Sequence, residues 1–464
     1  MPLMAMTDGV QRPDEPAPGD ERGNSFAGGP FFRPIDWLSF GVTTVVAFGV
    51  YLCTIAPEVT LEDGGTFVTG AAYAGVPDCP GFPLWTVYSW LFVKLIPFSN
   101  IAWRVTVGSA WAAALACGLT GLMVSRGGAM LLANTPAFAR QEPMEQNLLR
   151  AVCGCVAGLA FGLCEAIWSQ VALLNIWALS ILLFATMLTL LMRWTASPQR
   201  KRFLYATVFV FALLLTNSQW LISFAPALVL WVILSDPELG RELFLLTAFL
   251  GLIVMTTGLL PDLRSCLYRN VSLLIPFAPA AIWAVITGVK ARRIGSEWKP
   301  ALLCGICFLA GLVPYIYSAL ASMTNPPLNW GYPRIVEGFW HLVSRGQYDN
   351  LYSSRELGLF MSQLVVVFQE IGRQFGWLYF IFIPLPFFLL RRAQRGTRQW
   401  MLGLTAAFVC TGPVMVAMLN PTRDWLSLQL IRPDFSALYV VLAVWTGLGL
   451  MTIGAVVTKA KKRA

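Results

Sequence analysis

The stretch WLSFGVTTVVAFGVYLCTI, Trp37–Ile55, decides the fold class. It runs for 19 residues without one charged side chain. A helix of that length, at about 1.5 Å per residue, is matched to the roughly 30 Å hydrocarbon core of a bilayer. Similar runs recur outward from it along most of the chain. Of 464 residues, 57% are hydrophobic and 12% charged, and the mean hydropathy is +0.64. Soluble domains average about 45–50% apolar and about 25% charged. The composition excludes an ordinary soluble enzyme, a disordered chain and a disulfide scaffold. It leaves an all-α integral membrane protein.

Further apolar runs predict spans near 101–124, 151–168, 170–192, 203–217, 219–234, 243–260, 271–289, 301–320, 377–390, 401–419 and 435–457. With the first, the bundle has about twelve transmembrane helices. The runs at 203–217 and 219–234 are short, and read as a tight or re-entrant pair around Asn217-Ser218-Gln219. Residues 1–33 are rich in Pro, Gly, Asp and Glu and read as a disordered tail. That tail is too acidic and too long for the start of a signal peptide, so the first helix is retained.

Loop charge orients the bundle. Basic residues crowd four segments: Arg193 with Arg200, Lys201 and Arg202; Lys290, Arg292, Arg293 and Lys299; Arg391, Arg392, Arg395 and Arg398; and Lys459, Lys461, Lys462 and Arg463. The positive-inside rule makes all four cytoplasmic. The formal charge of +9 is then a topology signal and not a nucleic-acid footprint. Segment 56–81 holds Glu58, Glu62, Asp63 and Asp78 with no Lys or Arg, so it belongs outside. Both ends agree if one run between 56 and 125 does not cross. Phe82–Phe98 is short and carries Pro83, Lys94 and Pro97, which makes it a juxtamembrane helix on the outer face. Trp85, Tyr88 and Trp90 suit an interfacial position. The expected organisation is a cytoplasmic tail (1–33), a membrane domain (34–458) and a basic cytoplasmic tail (459–464). The membrane domain includes a first outer loop (56–100) and a large outer loop (321–376).

The unusual polar residues fall at the outer ends of the spans rather than at mid-membrane. They are Glu62 and Asp63, Arg104, Glu165, Gln170 and Asn175, Asn217-Ser218-Gln219, Asp262 and Arg264, the 325–348 stretch, and Arg423, Asp424, Arg432 and Asp434. Acids and bases from distant sequence thus converge on one face. That suits a site reached laterally by a lipid and from water by a second substrate. Walker A, dinucleotide and Gly-x-Ser-x-Gly motifs are absent. One histidine, His341, argues against a histidine-rich metal site. Most of the ten cysteines lie in apolar runs and read as packing, with Cys79 and Cys266 on the outer side.

The run Ala56–Phe67 (APEVTLEDGGTF), followed by Gly75–Leu84 (GVPDCPGFPL), resembles a large bacterial membrane family. The eukaryotic relative of that family is the transmembrane-260 protein O-mannosyltransferase. The resemblance continues through Trp168-Ser169-Gln170, Thr216-Asn217 and Pro314–Tyr317. It is most specific at Asn325–Gly331 (NPPLNWG) and Arg345–Tyr348 (RGQY), and covers about residues 37–458. It implies a GT-C-like glycosyltransferase fold with an essential acid in the first outer loop. Asp63 and Gly65 match the family's Asp-Ser-Gly-Glu, while Thr66 replaces the Glu and Glu62 precedes the Asp. Asp78 stands where the family has a His, Asn175 where it has an acid, and Ser218 where it has a second His.

The resemblance implies an inverting transfer of mannose or a similar hexose from a polyprenyl-phosphate donor to a hydroxyl on a protein or glycan acceptor. Asp63, with Glu62, is the expected catalytic base. Arg104 and then Arg345 are the expected phosphate ligands, because a guanidinium grips phosphate oxygens bidentately. Asn329, Trp330, His341, Tyr348, Gln170 and Asn217 are expected around the substrates, with Trp330 stacking on the sugar. No cofactor is required, and a divalent metal is left open. The expected location is a bacterial inner membrane, with both termini cytoplasmic and the site on the periplasmic face. A transporter or flippase, and a catalytically degenerate scaffold, are the competing classes.

Overall fold

A computed structural model describes residues 30–60, 63–257, 278, 281, 282, 285, 286, 295–345, 357–419 and 432–461. These form helices and turns, with no strand among them; one isolated bridge joins Val76 to Asn329. The 271–289 run, apart from the five single positions, lies outside the described residues, as do Glu62, Asp262, Arg264, Cys266, Tyr348, Arg423 and Asp424.

Helix α1 (Pro34–Thr54) begins with Pro34, whose fixed φ suits a first helical turn. Asp36 accepts from the Arg33 N–H at 2.8 Å, closing the helix start. The same carboxylate is fully buried and also accepts from the Ser125 hydroxyl and, at 2.7 Å, from the Arg150 guanidinium. Helix α2 (Gly64–Tyr73) and helix α3 (Pro83–Leu95) follow. Helix α4 (Ile101–Leu132) is the central rod, started by Asn100, which accepts from the Trp103 N–H at 2.8 Å. It touches α1 so closely that a Cβ on Gly118 would lie 2.1 Å from the Thr44 hydroxyl. Small residues permit such approach between apolar helices, where dispersion does the packing.

A short helix α5 (Pro136–Ala139) leads to α6 (Pro143–Gly162) and α7 (Glu165–Ala172), which are bent by 62° from one another. Then come α8 (Trp177–Thr195), α9 (Arg202–Leu215), a 3-10 turn at Gln219–Phe224, α10 (Ala225–Ser235) and α11 (Pro237–Thr257). Helices α12 (Trp298–Leu312) and α13 (Pro314–Met323) run on as one 26-residue span. They precede α14 (Val336–Ser344) and α15 (Leu357–Phe375). A short α16 (Leu385–Phe388) is followed by α17 (Arg395–Val409), which passes through a π-helical turn around Pro413 into α18 (Met415–Leu419). The last helix, α19 (Ser436–Lys461), lies deep in the bundle, with Leu438–Val444 all buried.

Six helices among the described residues are long and apolar enough to cross a bilayer, and two bent pairs raise that to eight. The 203–217 and 219–234 runs form α9 and the 3-10 turn with α10, both shorter than a full span. The 377–390 run is apolar but not one helix. Pro384 and Pro386 divide it into a 3-10 turn, α16 and a second 3-10 turn, and it meets α15 at 104°. The segment read as a long loop, 321–376, contains α14 and α15. In α15 the polar residues Gln363, Glu370, Arg373 and Gln374 interrupt the apolar run, yet Leu357, Met361, Val365 and Phe368 form an exposed apolar stripe at helical spacing. Phe82–Phe98 does form a helix, with Val87, Leu91 and Leu95 exposed along one side. Trp85 differs from its reading as an interfacial ring. It is 1% exposed and packs edge-to-face on Phe67, 5.2 Å away.

The described parts of the basic segments collect at one end of the bundle. Asn134 donates to the Arg392 carbonyl at 3.0 Å, Gln399 to Leu234 at 2.5 Å, and Gln141 to Ala455 at 3.2 Å. Lys201 pairs with Glu297 at the same end. The guanidinium groups of Arg126 and Arg193 lie 4.6 and 4.7 Å from the Phe31 ring. The residues that follow α1, α7, α9 and α13 gather at the opposite end.

Candidate functional site

At that opposite end two distant stretches of sequence pair. The Val76 N–H donates to the Leu328 carbonyl at 3.0 Å, and the Trp330 N–H donates to the Val76 carbonyl at 3.0 Å. The fit requires glycine at position 75, where a Cβ would sit 2.5 Å from the Leu328 carbonyl oxygen. The Tyr317 hydroxyl secures the same corner by donating to the Ala74 carbonyl at 2.5 Å. Beside the pairing lies a groove of about 330 Å³, lined by Asn325, Pro326, Pro327, Leu328, Asn329, Trp330 and Tyr332. Asn329 donates to the Ser322 carbonyl at 3.3 Å, while its Oδ1 is buried with no hydrogen bond. Trp330 is 45% exposed. The first-loop motif at 75–84 and the motif at 325–331 therefore form one structure.

Arg345 caps α14 in the left-handed region, at φ 59° and ψ 41°. Its guanidinium stands 5.0 Å from the centre of the Trp220 ring, and its charge acts on the Cys79 thiol. Cys79 in turn donates its thiol to the Leu342 carbonyl at 3.2 Å. Burial pushes the Cys79 thiol up to about 12, against the opposing pull of the Arg345 charge. Gln219 donates from Nε2 to the Val343 carbonyl at 2.7 Å and to the Tyr315 hydroxyl at 2.9 Å. The Asp434 carboxylate is 7% exposed, lies within the field of Arg345, and leaves Oδ1 without a hydrogen bond. Arg345 thus gathers groups from the first loop, the 3-10 turn after α9, α13 and the start of α19.

Asp63 is exposed at the start of α2, where its carbonyl accepts from the Phe67 N–H. Its carboxylate makes no hydrogen bond or ion pair among the described residues. The chain just before it is pinned to α7 and the α7–α8 corner: the Ala56 N–H donates to the Ala172 carbonyl, and the Leu174 N–H to the Thr60 hydroxyl. At this corner Gln170 accepts from Asn175 at 2.8 Å. Asn217 is fully buried and donates to the Ile176 carbonyl and to the Ser180 hydroxyl, which makes it a brace between α8 and α9. The 217–220 segment consequently touches both the Asp63 corner, through Asn217, and the Arg345 corner, through Gln219 and Trp220. The ten residues of α2 separate Asp63 from the Val76 pairing by roughly 15 Å of helix. No described contact joins Asp63 to Arg345 directly.

Arg104 sits elsewhere. Its N–H groups donate to the carbonyls of Val93, Phe98 and Ser99, so it closes the turn between α3 and α4. His341 is exposed on α14. Arg432 pairs with Glu165 at 3.4 Å and with Glu370 at 2.6 Å, tying the entry to α19 to both α7 and α15. The Ala166 N–H donates to Gln374 at 2.7 Å across the same joint. No cluster of three or more metal-ligating side chains occurs among the described residues. Sequence reading missed Trp220 and Cys79 as neighbours of Arg345. The only signal was their adjacency to Gln219 and to the Asp78-Cys79-Pro80-Gly81 motif.

The family described as "Protein O-mannosyl-transferase TMEM260 N-terminal domain" matches residues 63–240. The chain is related to the TMEM260 family. The mouse (Mus musculus) Protein O-mannosyl-transferase TMEM260 is 25% identical to it over 218 residues, which is 46% of this chain and 28% of the mouse protein. The chain thus spans less than a third of the length of that relative. No solved structure matches. The TMEM260-like stretch begins on Asp63 and takes in Arg104, Gln170, Asn217, Gln219 and Trp220. The 325–345 region that pairs with the first loop lies beyond it.

Proposed function

We propose that the chain is a membrane glycosyltransferase that moves mannose or a similar hexose from a polyprenyl phosphate to a hydroxyl of a protein acceptor. In this reading the fold is GT-C-like with about twelve spans. Both termini are cytoplasmic, in keeping with the basic residues gathered at one end of the bundle. The site opens on the outer face of a bacterial inner membrane. One observation carries the reading: in a chain related to TMEM260, the first loop and the 325–345 region meet around an arginine. The ion pairs among the described residues lie towards the ends of the bundle. A transporter concentrates such groups near mid-membrane.

The chemistry is a single displacement with inversion. The acceptor oxygen attacks the anomeric carbon as the bond from that carbon to the phosphate oxygen breaks, and its electron pair leaves with the lipid phosphate. Asp63 takes the hydroxyl proton, a role suited to an exposed carboxylate with no hydrogen bond or ion pair among the described residues. Arg345 balances the charge gathering on the phosphate. Arg345 takes precedence over Arg104 because it lies where the first loop meets the 325–345 region, whereas Arg104 closes the α3–α4 turn. Trp330 and Asn329 border the groove in which the sugar is held. The test is Asp63→Asn, assayed in membranes with a polyprenyl-phosphate-linked mannose. Transfer is expected to fall by at least about a hundredfold with the protein still folded. Unchanged turnover removes Asp63 as the base.

A further inference from the structure

Arg345 follows the last turn of α14, where the terminal carbonyls of a helix have no internal partner. Two carbonyls of that turn accept from side chains far away in sequence, Leu342 alongside the Arg345 N–H at 3.3 Å. Cys79 takes Leu342 at 3.2 Å, and Gln219 takes Val343 at 2.7 Å. Gln219 has two amide hydrogens, and the other goes to the Tyr315 hydroxyl at 2.9 Å. Tyr315 is itself fixed, donating to the Leu215 carbonyl at 3.2 Å. The backbone leading into Arg345 is thereby held to the turn after α9.

The side chain is held by the next residue of that turn. Trp220 lies 5.0 Å beneath the guanidinium centre. Trp is the strongest aromatic platform for a cation, and Arg the cation that stacks best. A guanidinium held over an aromatic ring is restrained in where its five N–H groups can point. A guanidinium fork has the geometry of the paired oxygens of a phosphate.

We propose that Gln219 and Trp220 are positioning residues for Arg345, setting the plane in which its guanidinium meets the phosphate of a polyprenyl-phosphate donor. This rests on the reading of Arg345 given above. Gln219 acts on the backbone of the turn and Trp220 on the side chain, and neither contacts the reacting atoms. The assignment explains why the polar Gln219 directly precedes an aromatic residue at a break between two short helices.

The experiment uses the full chain in detergent and polyprenyl phosphate, without a sugar, as probe. Trp220→Leu is expected to weaken its binding about tenfold, and Trp220→Phe to stay within about threefold of the parent. In an Arg345→Gln background, Trp220→Leu is expected to add nothing further. A Trp220→Leu protein that binds like the parent overturns the proposal, as does an effect that adds in full to that of Arg345→Gln. The parent, Trp220→Leu, Arg345→Gln and the double variant, unfolded thermally without lipid, report the Trp220–Arg345 contact alone. Coupling there, with a parent that binds no polyprenyl phosphate, sinks the donor reading and leaves the positioning intact. Absence of coupling sinks the positioning whatever binds.

Discussion

Asp36 and Asp434 are both buried carboxylates, 0% and 7% exposed, at opposite ends of the helix bundle. Asp36 accepts from a backbone N–H, a serine hydroxyl and the Arg150 guanidinium at 2.7 Å. Asp434 keeps one oxygen buried without a hydrogen bond and has Arg345 as its neighbouring charge. A buried ion is tolerable when its partner is close and its lone pairs are filled. The first acid satisfies that condition and reads as a staple. The second does not: one of its oxygens is buried without a hydrogen bond.

The largest test of this contrast is at the saturated end. Arg150→Met leaves Asp36 buried without its cation, and is expected to cost about 3–5 kcal/mol of stability. Unfolding in detergent measures it, and a variant as stable as the parent dissolves the distinction between the two ends. Next comes Asp434→Asn, which removes a poorly compensated charge. It is expected to raise stability by about 1 kcal/mol. A loss comparable to that of Arg150→Met would make Asp434 a staple as well.

The smallest effect is at Cys79. Its thiol is raised from 9.0 to about 12 by burial. Below pH 9 both folded and unfolded chains hold the proton, so the thiol adds no pH dependence there. Between pH 9 and 12 the unfolded chain releases it first, and stability is expected to fall as pH rises, by up to about 1.4 kcal/mol per unit. At pH 8 a maleimide is expected to spare Cys79 in the folded protein and to label it after unfolding, as read by peptide mass. Ready labelling of the folded protein would show that the corner opens to water.

The sequence was most informative where the cause is local. The 19-residue uncharged run Trp37–Ile55 sufficed to read a spanning helix, and loop charge foretold that the described parts of the basic segments share one end. Hydropathy alone could not see that Pro384 and Pro386 break an apolar run, or that the polar residues of α15 lie on one side of a helix. Motif fragments at 75–84 and 325–331 marked the candidate site, although nothing in either fragment shows that their backbones pair. Arg104 illustrates the limit. Its position at the start of a span suits a phosphate ligand, but the carbonyls at the end of α3 take its N–H groups. Trp220 illustrates the converse. It reads as one more apolar residue until a loop 125 positions later lays an arginine on its face.

The Asp36 network also bears on how the chain is made. Asp36 and Arg150 are 114 residues apart, with α4 and its Ser125 between them. The first helix is therefore synthesised well before its counter-ion. Until α6 is made, Asp36 has no Arg150 to pair with, so the joint between α1, α4 and α6 closes only when all three helices are present.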